Sequence, residues 1–225
     1  MEEQINFQAG SNPVPKPTYS GSFGHGWDMM KKHFLELFLV ILIQILLSLP
    51  FGLVNSFVDH QSFGYAFFSL FNVAYGILVM APVSYGSKWV YLKAVRGEPF
   101  KAYELFYAFQ NLGNIILANI LVFAIIGIGI VLLIVPGIIF ACKLAFVPYL
   151  VTDQKMEAVD AIKKSWDMTD GFGWTIFAMG FMSFFIALAG IICFIVGIFP
   201  AAIWISCAFA TLYWAVSQKL AVKSS

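Results

Sequence analysis

Between Phe34 and Lys219 the chain is almost continuously apolar, broken only by short charged clusters. A helix needs about 20 apolar residues to cross the roughly 30 Å hydrocarbon layer of a bilayer. Six stretches meet or approach that length, at residues 34–54, 65–92, 112–134, 137–152, 174–198 and 201–218. The fourth is short: its sixteen residues, at about 1.5 Å each, reach only about 24 Å. Val135-Pro136-Gly137 reads as a turn almost without a loop between the third and fourth spans, and Phe199-Pro200 as its counterpart between the last two. The pattern predicts an all-α polytopic transmembrane helical bundle of about six spans.

Shorter amphipathic stretches precede spans 1, 3 and 5. Phe23, Trp27, Met30 and Phe34 form one apolar stripe, Phe100, Tyr103, Phe106 and Tyr107 a second, and Met156, Val159, Ile162 and Trp166 a third. In the last, Glu157, Asp160, Lys163 and Lys164 face away, and Asp160 and Lys164 have the spacing of a favourable helical pair. Such stretches are expected to lie in the membrane interface, with the apolar face at headgroup depth. Trp27-Asp28-Met29 matches Trp166-Asp167-Met168, and Gly113, Ile116 and Ala118 match Gly173, Ile176 and Ala178 at a constant offset. A threefold repeat of interfacial helix plus membrane hairpin is the hypothesis these matches raise; repetition alone does not imply transport.

Charge sets the orientation. Lys31 and Lys32 precede span 1, Lys93, Arg96 and Lys101 follow span 2, Lys155, Lys163 and Lys164 follow span 4, and Lys219 and Lys223 follow span 6. The opposite face offers only Asn55 to Phe63, with Asp59 and His60, and the two proline turns. The excess of Lys and Arg on one side places both termini in the cytoplasm.

Composition narrows the function classes. Of 225 residues 60% are hydrophobic and 11% charged, and the net charge of +1 gives no attraction to nucleic acid. Residues 1–20, with Pro13, Pro15 and Pro17, read as a disordered tail and not as a signal peptide, leaving 21–225 as one membrane domain. Cys142, Cys193 and Cys207 sit in apolar runs and read as small buried side chains, with no metal site or cofactor implied. Phosphate-loop, zinc-protease and nucleophile-elbow patterns are absent, so no catalytic residue is expected.

Lys143 is read as the one ionisable residue well inside a span, about 15 Å from the cytoplasmic end if the helix to Asp153 is straight. A lysine there costs at least about 2.5 kcal/mol on insertion scales. No carboxylate is expected at its depth, so Gln44, Asn119 and the Leu144 carbonyl freed by Pro148 are its candidate partners. One reading is a snorkelling or packing group, the other an anion site built from Lys143, Gln44 and Asn119. Asn72, Asn114 and Asn119 read as interhelical hydrogen-bonding groups, and Ala202, Ser206 and Ala210 as a ridge allowing close helix approach.

The stretch Leu133 to Tyr149, with its Pro136-Gly137 turn and Lys143, followed by Ala161-Ile-Lys-Lys-Ser-Trp-Asp-Met-Thr-Asp-Gly171, resembles a family of uncharacterised bacterial six-helix integral membrane proteins. Relatives of that family include the membrane domain of some glycerophosphodiester phosphodiesterases; Arg96-Gly97-Glu98 fits the pattern as well. The resemblance implies a fold and the bacterial inner membrane but no activity, and without a fused catalytic domain the phosphodiesterase chemistry is not expected. The expected role is a non-enzymatic partner, scaffold or lipid-interacting module. Membrane lipids are the expected partners, with another membrane protein or a second copy as further possibilities. The alternative is an anion transporter or channel around Lys143.

Overall fold

The computed structural model describes residues 14–57, 64–192 and 194–224 (their side chains too, except at 51–57, 64–68, 194–196 and 223–224). Residues 1–13 of the expected tail, Asp59, His60 and Cys193 lie outside the described residues. Every described element is a helix, which gives the all-α class. Helix α1 (Tyr19–Lys32) opens on Thr18, whose hydroxyl accepts the Gly21 amide at 3.2 Å. After His33 the axis turns by 92° into α2 (Phe34–Phe57), so α1 lies across the direction of the first span. Its stripe is divided accordingly: Phe23 and Met30 are buried in the protein, while Trp27 and Phe34 stay outside it.

Helix α3 (Gly64–Tyr75) continues through a π turn (Gly76–Met80) into α4 (Ala81–Arg96). The wide turn directly precedes Pro82, which has no amide to donate and would crowd a regular helix. Gly97, at φ 75°, ends α4 in the left-handed conformation that glycine adopts freely. A 3₁₀ helix (Ala102–Asn111) leads into α5 (Leu112–Leu132), with Glu104 accepting the Lys101 amide at 3.1 Å. Because this element is 3₁₀-wound, it buries Leu105 and Ala108 and leaves Tyr103 and Phe106 outside. Then follow α6 (Ile134–Lys143), α7 (Val147–Asp153), α8 (Ala158–Met168), α9 (Gly173–Ile192) and α10 (Phe194–Ser224). Among the described residues five segments are long and apolar enough to cross a membrane, or six if the bent α1–α2 pair counts as one.

The two proline turns are not where the sequence pattern put them. Leu133, extended at φ −166° and ψ 148°, reverses the chain between α5 and α6, and Pro136 sits in the first turn of α6, where an amide has no partner anyway. The fourth span is therefore Ile134–Asp153, 20 residues, not the short stretch expected. Helices α5 and α6 pack at backbone distance: a Cβ on Gly129 would lie 2.9 Å from the Gly137 Cα. Phe199-Pro200 is no turn at all, because α10 has already begun at Phe194 and runs through Pro200. Opening a turn at membrane depth would strand several backbone groups without water, whereas continuing through one proline forfeits a single hydrogen bond.

The element order falls into three units, each a short helix followed by two long segments: α1–α2–α3/α4, the 3₁₀ helix–α5–α6/α7, and α8–α9–α10. Each short helix packs on the second long segment of another unit: α1 on α10, the 3₁₀ helix on α4, and α8 on α7. Small residues permit the approach. A Cβ on Gly26 of α1 would lie 2.8 Å from the Ala208 amide nitrogen, and one on Gly86 of α4 would collide with the Leu105 carbonyl. The ridge at Ala202, Ser206 and Ala210 thus belongs to a helix whose neighbours α1, α4 and α9 are within the chain.

Candidate functional site

The second long segments meet at the end of the bundle that carries the basic residues. There Arg96, closing α4, donates from Nη1 and Nη2 to the two carboxylate oxygens of Asp153, closing α7, at 2.7 and 2.6 Å. Tyr213 of α10 donates its hydroxyl to Asp153 at 2.9 Å and accepts from Gln154 at 3.1 Å. The Arg96 and Asp153 side chains are only 4% and 8% exposed, so this is a buried ion pair with forked geometry. Tyr149 stacks on Tyr213 at 5.0 Å between ring centres, and Phe146 meets it edge-on. Glu98 stands 3.7 Å from Arg96, and burial pushes its carboxyl above the usual range despite the pull of Arg96 and Lys93. The sequence pattern sets Arg96 just after span 2 and Asp153 just after span 4. Their separation of 57 positions gave no local signal that they pair.

Beside this node lies a cavity of about 250 Å³ lined by Tyr107, Gln110, Asn111, Ile115, Val151 and Thr152, with Lys155 at its edge. Asn114 holds the α7–α8 linker against α5: its amide donates to the Met156 carbonyl at 2.7 Å and its oxygen accepts the Ala158 amide at 2.6 Å. It therefore caps α8 rather than bridging two spans. Among the described residues no group of three His, Cys, Asp or Glu side chains could hold a metal ion.

Lys143 does not meet its expected partners. Its ammonium pairs with Asp170, in the linker after α8, and stands 5.6 Å from the centre of the Trp166 ring. The expectation that no carboxylate would reach it is corrected by Asp170; Lys143 stays midway along the Ile134–Asp153 span, where α6 ends and the chain breaks before α7. Helix α8 covers that break. Ser165 donates to the Lys143 carbonyl at 2.7 Å and accepts the Phe146 amide at 3.3 Å, occupying backbone groups that the break frees. The Leu144 carbonyl accepts the Val147 amide at 3.2 Å instead of serving the lysine. Gln44 donates to Ser87 of α4 at 2.8 Å, and Asn119 is half-buried on α5. None of the described contacts joins Lys143, Gln44 and Asn119, and the cavity above is not lined by any of them.

The lysine that sequence reading passed over is Lys88. It lies in the Ser69–Arg96 span, about 12 Å before Arg96 along the helix. Of its helical neighbours Tyr85, Tyr91 and Leu92 are buried and Ser84 is half-buried, so it sits at the border of the protein-facing side of α4. Among the described residues it makes no ion pair or hydrogen bond, and the Tyr85 ring, 5.9 Å from Nζ, is its one electrostatic contact. A lysine at such depth costs about 2.5–3.5 kcal/mol on insertion scales. The signal was available: Lys88 stood inside the expected second span. No known family, curated protein or solved structure matches the chain.

Proposed function

We propose that the chain is a non-enzymatic multi-pass protein of the bacterial inner membrane, with both termini in the cytoplasm, acting as a lipid-interacting module. One observation carries the reading: large apolar side chains along α2, α5, α6 and α9 face outward, from Leu46 and Phe123 to Phe184 and Ile192, while the charged groups pair with one another at one end. An apolar surface of this extent belongs in hydrocarbon. The Lys, Arg and acidic residues of the linkers gather at that end, where Lys93 meets Glu104 and Arg96 meets Asp153, which fits the positive-inside orientation. The bacterial setting rests on the resemblance at Leu133 to Gly171. With its charge spent on Asp170, Lys143 lends no support to an anion pathway of its own.

Liposome flux measurements with the purified protein test the module reading against transport. Liposomes as tight to chloride and phosphate as protein-free ones are expected; protein-dependent anion flux would replace the module by a carrier or channel. Cysteine labelling tests the threading: positions 58 and 160 are expected on opposite sides of the membrane.

A further inference from the structure

We propose that Lys88 is the binding site for an oxyanion group, a phosphate or carboxylate, that enters the bundle from outside the chain. The inference rests on the lipid-contact reading above and adds a ligand to it. Three observations lead to it. Of the other lysines inside the candidate spans, Lys93 pairs with Glu104 and Lys143 with Asp170, and Lys219, near the end of its span, lies over the Phe172 ring. Among the described residues Lys88, deeper in its span than Lys93 or Lys219, has only the face of Tyr85. Its position borders the buried face of α4, the helix that packs on α7 and α10, and the adjoining Tyr91 lies against Ser206 and Cys207 of α10. Yet the lysine itself remains partly exposed, which leaves it open to approach by a group that is not part of the protein.

The chemistry of the ligand follows from what is missing. An ammonium in an apolar setting is stabilised by one opposite charge at hydrogen-bond distance, and an oxyanion offers both the charge and the acceptors. Tyr85, one turn before the lysine, and Leu92, one turn after it, line its face of α4 with a ring and an aliphatic group, so the surroundings of the ammonium are apolar. A phosphate or carboxylate attached to an apolar body meets both demands, as in an acidic lipid; a free inorganic anion shares the charge but not the apolar contact.

The test uses the full chain in nanodiscs of pure phosphatidylcholine, with phosphatidylglycerol added in one arm and inorganic phosphate in the other, and reads the melting temperature. A ligand that binds only the folded state raises it with concentration. A rise with phosphatidylglycerol alone assigns the site to a lipid-borne phosphate, and a rise with inorganic phosphate assigns it to a free anion; no rise in either arm overturns the proposal. Lys88→Met is expected to fold in phosphatidylcholine and to lower the apparent phosphatidylglycerol affinity at least about tenfold. Lys88→Arg keeps most of the increment, and Lys164→Gln, on the exposed face of α8, keeps all of it. An undiminished increment in Lys88→Met refutes the site, and Lys88→Gln carries the same comparison if the methionine variant does not fold. Anion flux through liposomes would end the module reading without touching the Lys88 increment, so the two failures are distinguishable.

Discussion

The two ends of this bundle are held together by different means. At the basic end, side chains do the work: Arg96, Asp153, Gln154 and Tyr213 join α4, α7 and α10, and three short helices close around them. At the hairpin tips, backbones touch instead. Gly129 meets Gly137, and a Cβ on Gly190 would lie 2.9 Å from the Gly197 carbonyl, while Val131, Leu132 and Ile134 project outward at 86%, 68% and 71% exposure. The difference follows from the solvent. Lipid gives apolar side chains no reason to leave it, so helices there associate through close contact of small residues. Near the interface water competes for every polar group, and only burial with good geometry makes an ion pair count.

The sharpest way to break this comparison is to strip the ion pair of one partner. Asp153→Ala leaves the Arg96 guanidinium buried without its carboxylate, and a loss of about 3–5 kcal/mol is expected. Chemical unfolding in bilayer mimetics measures it; a loss under about 1 kcal/mol would mean that the node does not hold the basic end. Combining Asp153→Leu with Arg96→Met should recover most of that loss, because no charge is then left stranded.

Glycine substitutions come next in size. Gly86→Ala drives a methyl group into the Leu105 carbonyl, 1.7 Å away, and should cost about 1–3 kcal/mol or more by prising the 3₁₀ helix from α4. Gly127→Ala, with nothing within 4 Å, should be neutral or slightly stabilising through helix propensity. Equal losses at the two sites would erase the distinction between packed and lipid-facing positions. At the outer surface, Leu132→Ala should change stability by no more than about 0.5 kcal/mol in a bilayer, since the side chain touches lipid in every state of the protein that remains inserted. A larger loss there would reveal a protein neighbour on that face.

The finest difference is one of pH. Burial holds the Glu98 carboxyl above its usual value of 4.5, so its contribution is favourable below about that pH and declines as pH rises through the folded-state value. Glu98→Gln removes this decline: the variant should gain on the native protein between acid and neutral pH and match it at the acid end. Parallel pH profiles for the two proteins would place the carboxylate in free solvent.

How much of this was legible beforehand depended on the range of the interaction. The all-α class and the apolar segments follow from runs of local hydrophobicity, and the short helices before spans 1, 3 and 5 from periodicity over a few turns. Turn positions were misread where proline was taken as a stop. Pro136 lies in the first turn of α6, where no helical hydrogen bond is lost, and Pro200 lies inside α10, where continuing the helix forfeits a single one. Lys143 was recognised as unusual, but its acid partner lies 27 positions onward and reaches it only because α8 folds over the break after α6.

By itself, then, the sequence determined the solvent of this protein, its helical class and the distribution of its charges, since each is a property of neighbouring residues. The tertiary structure decided which charges are matched. Arg96 and Asp153 became a buried pair, Lys143 was neutralised by Asp170, and Lys88 was left facing a tyrosine ring inside the bundle. Electrostatic energy depends on distance through space and on the medium between the charges, and neither is fixed until the helices have packed.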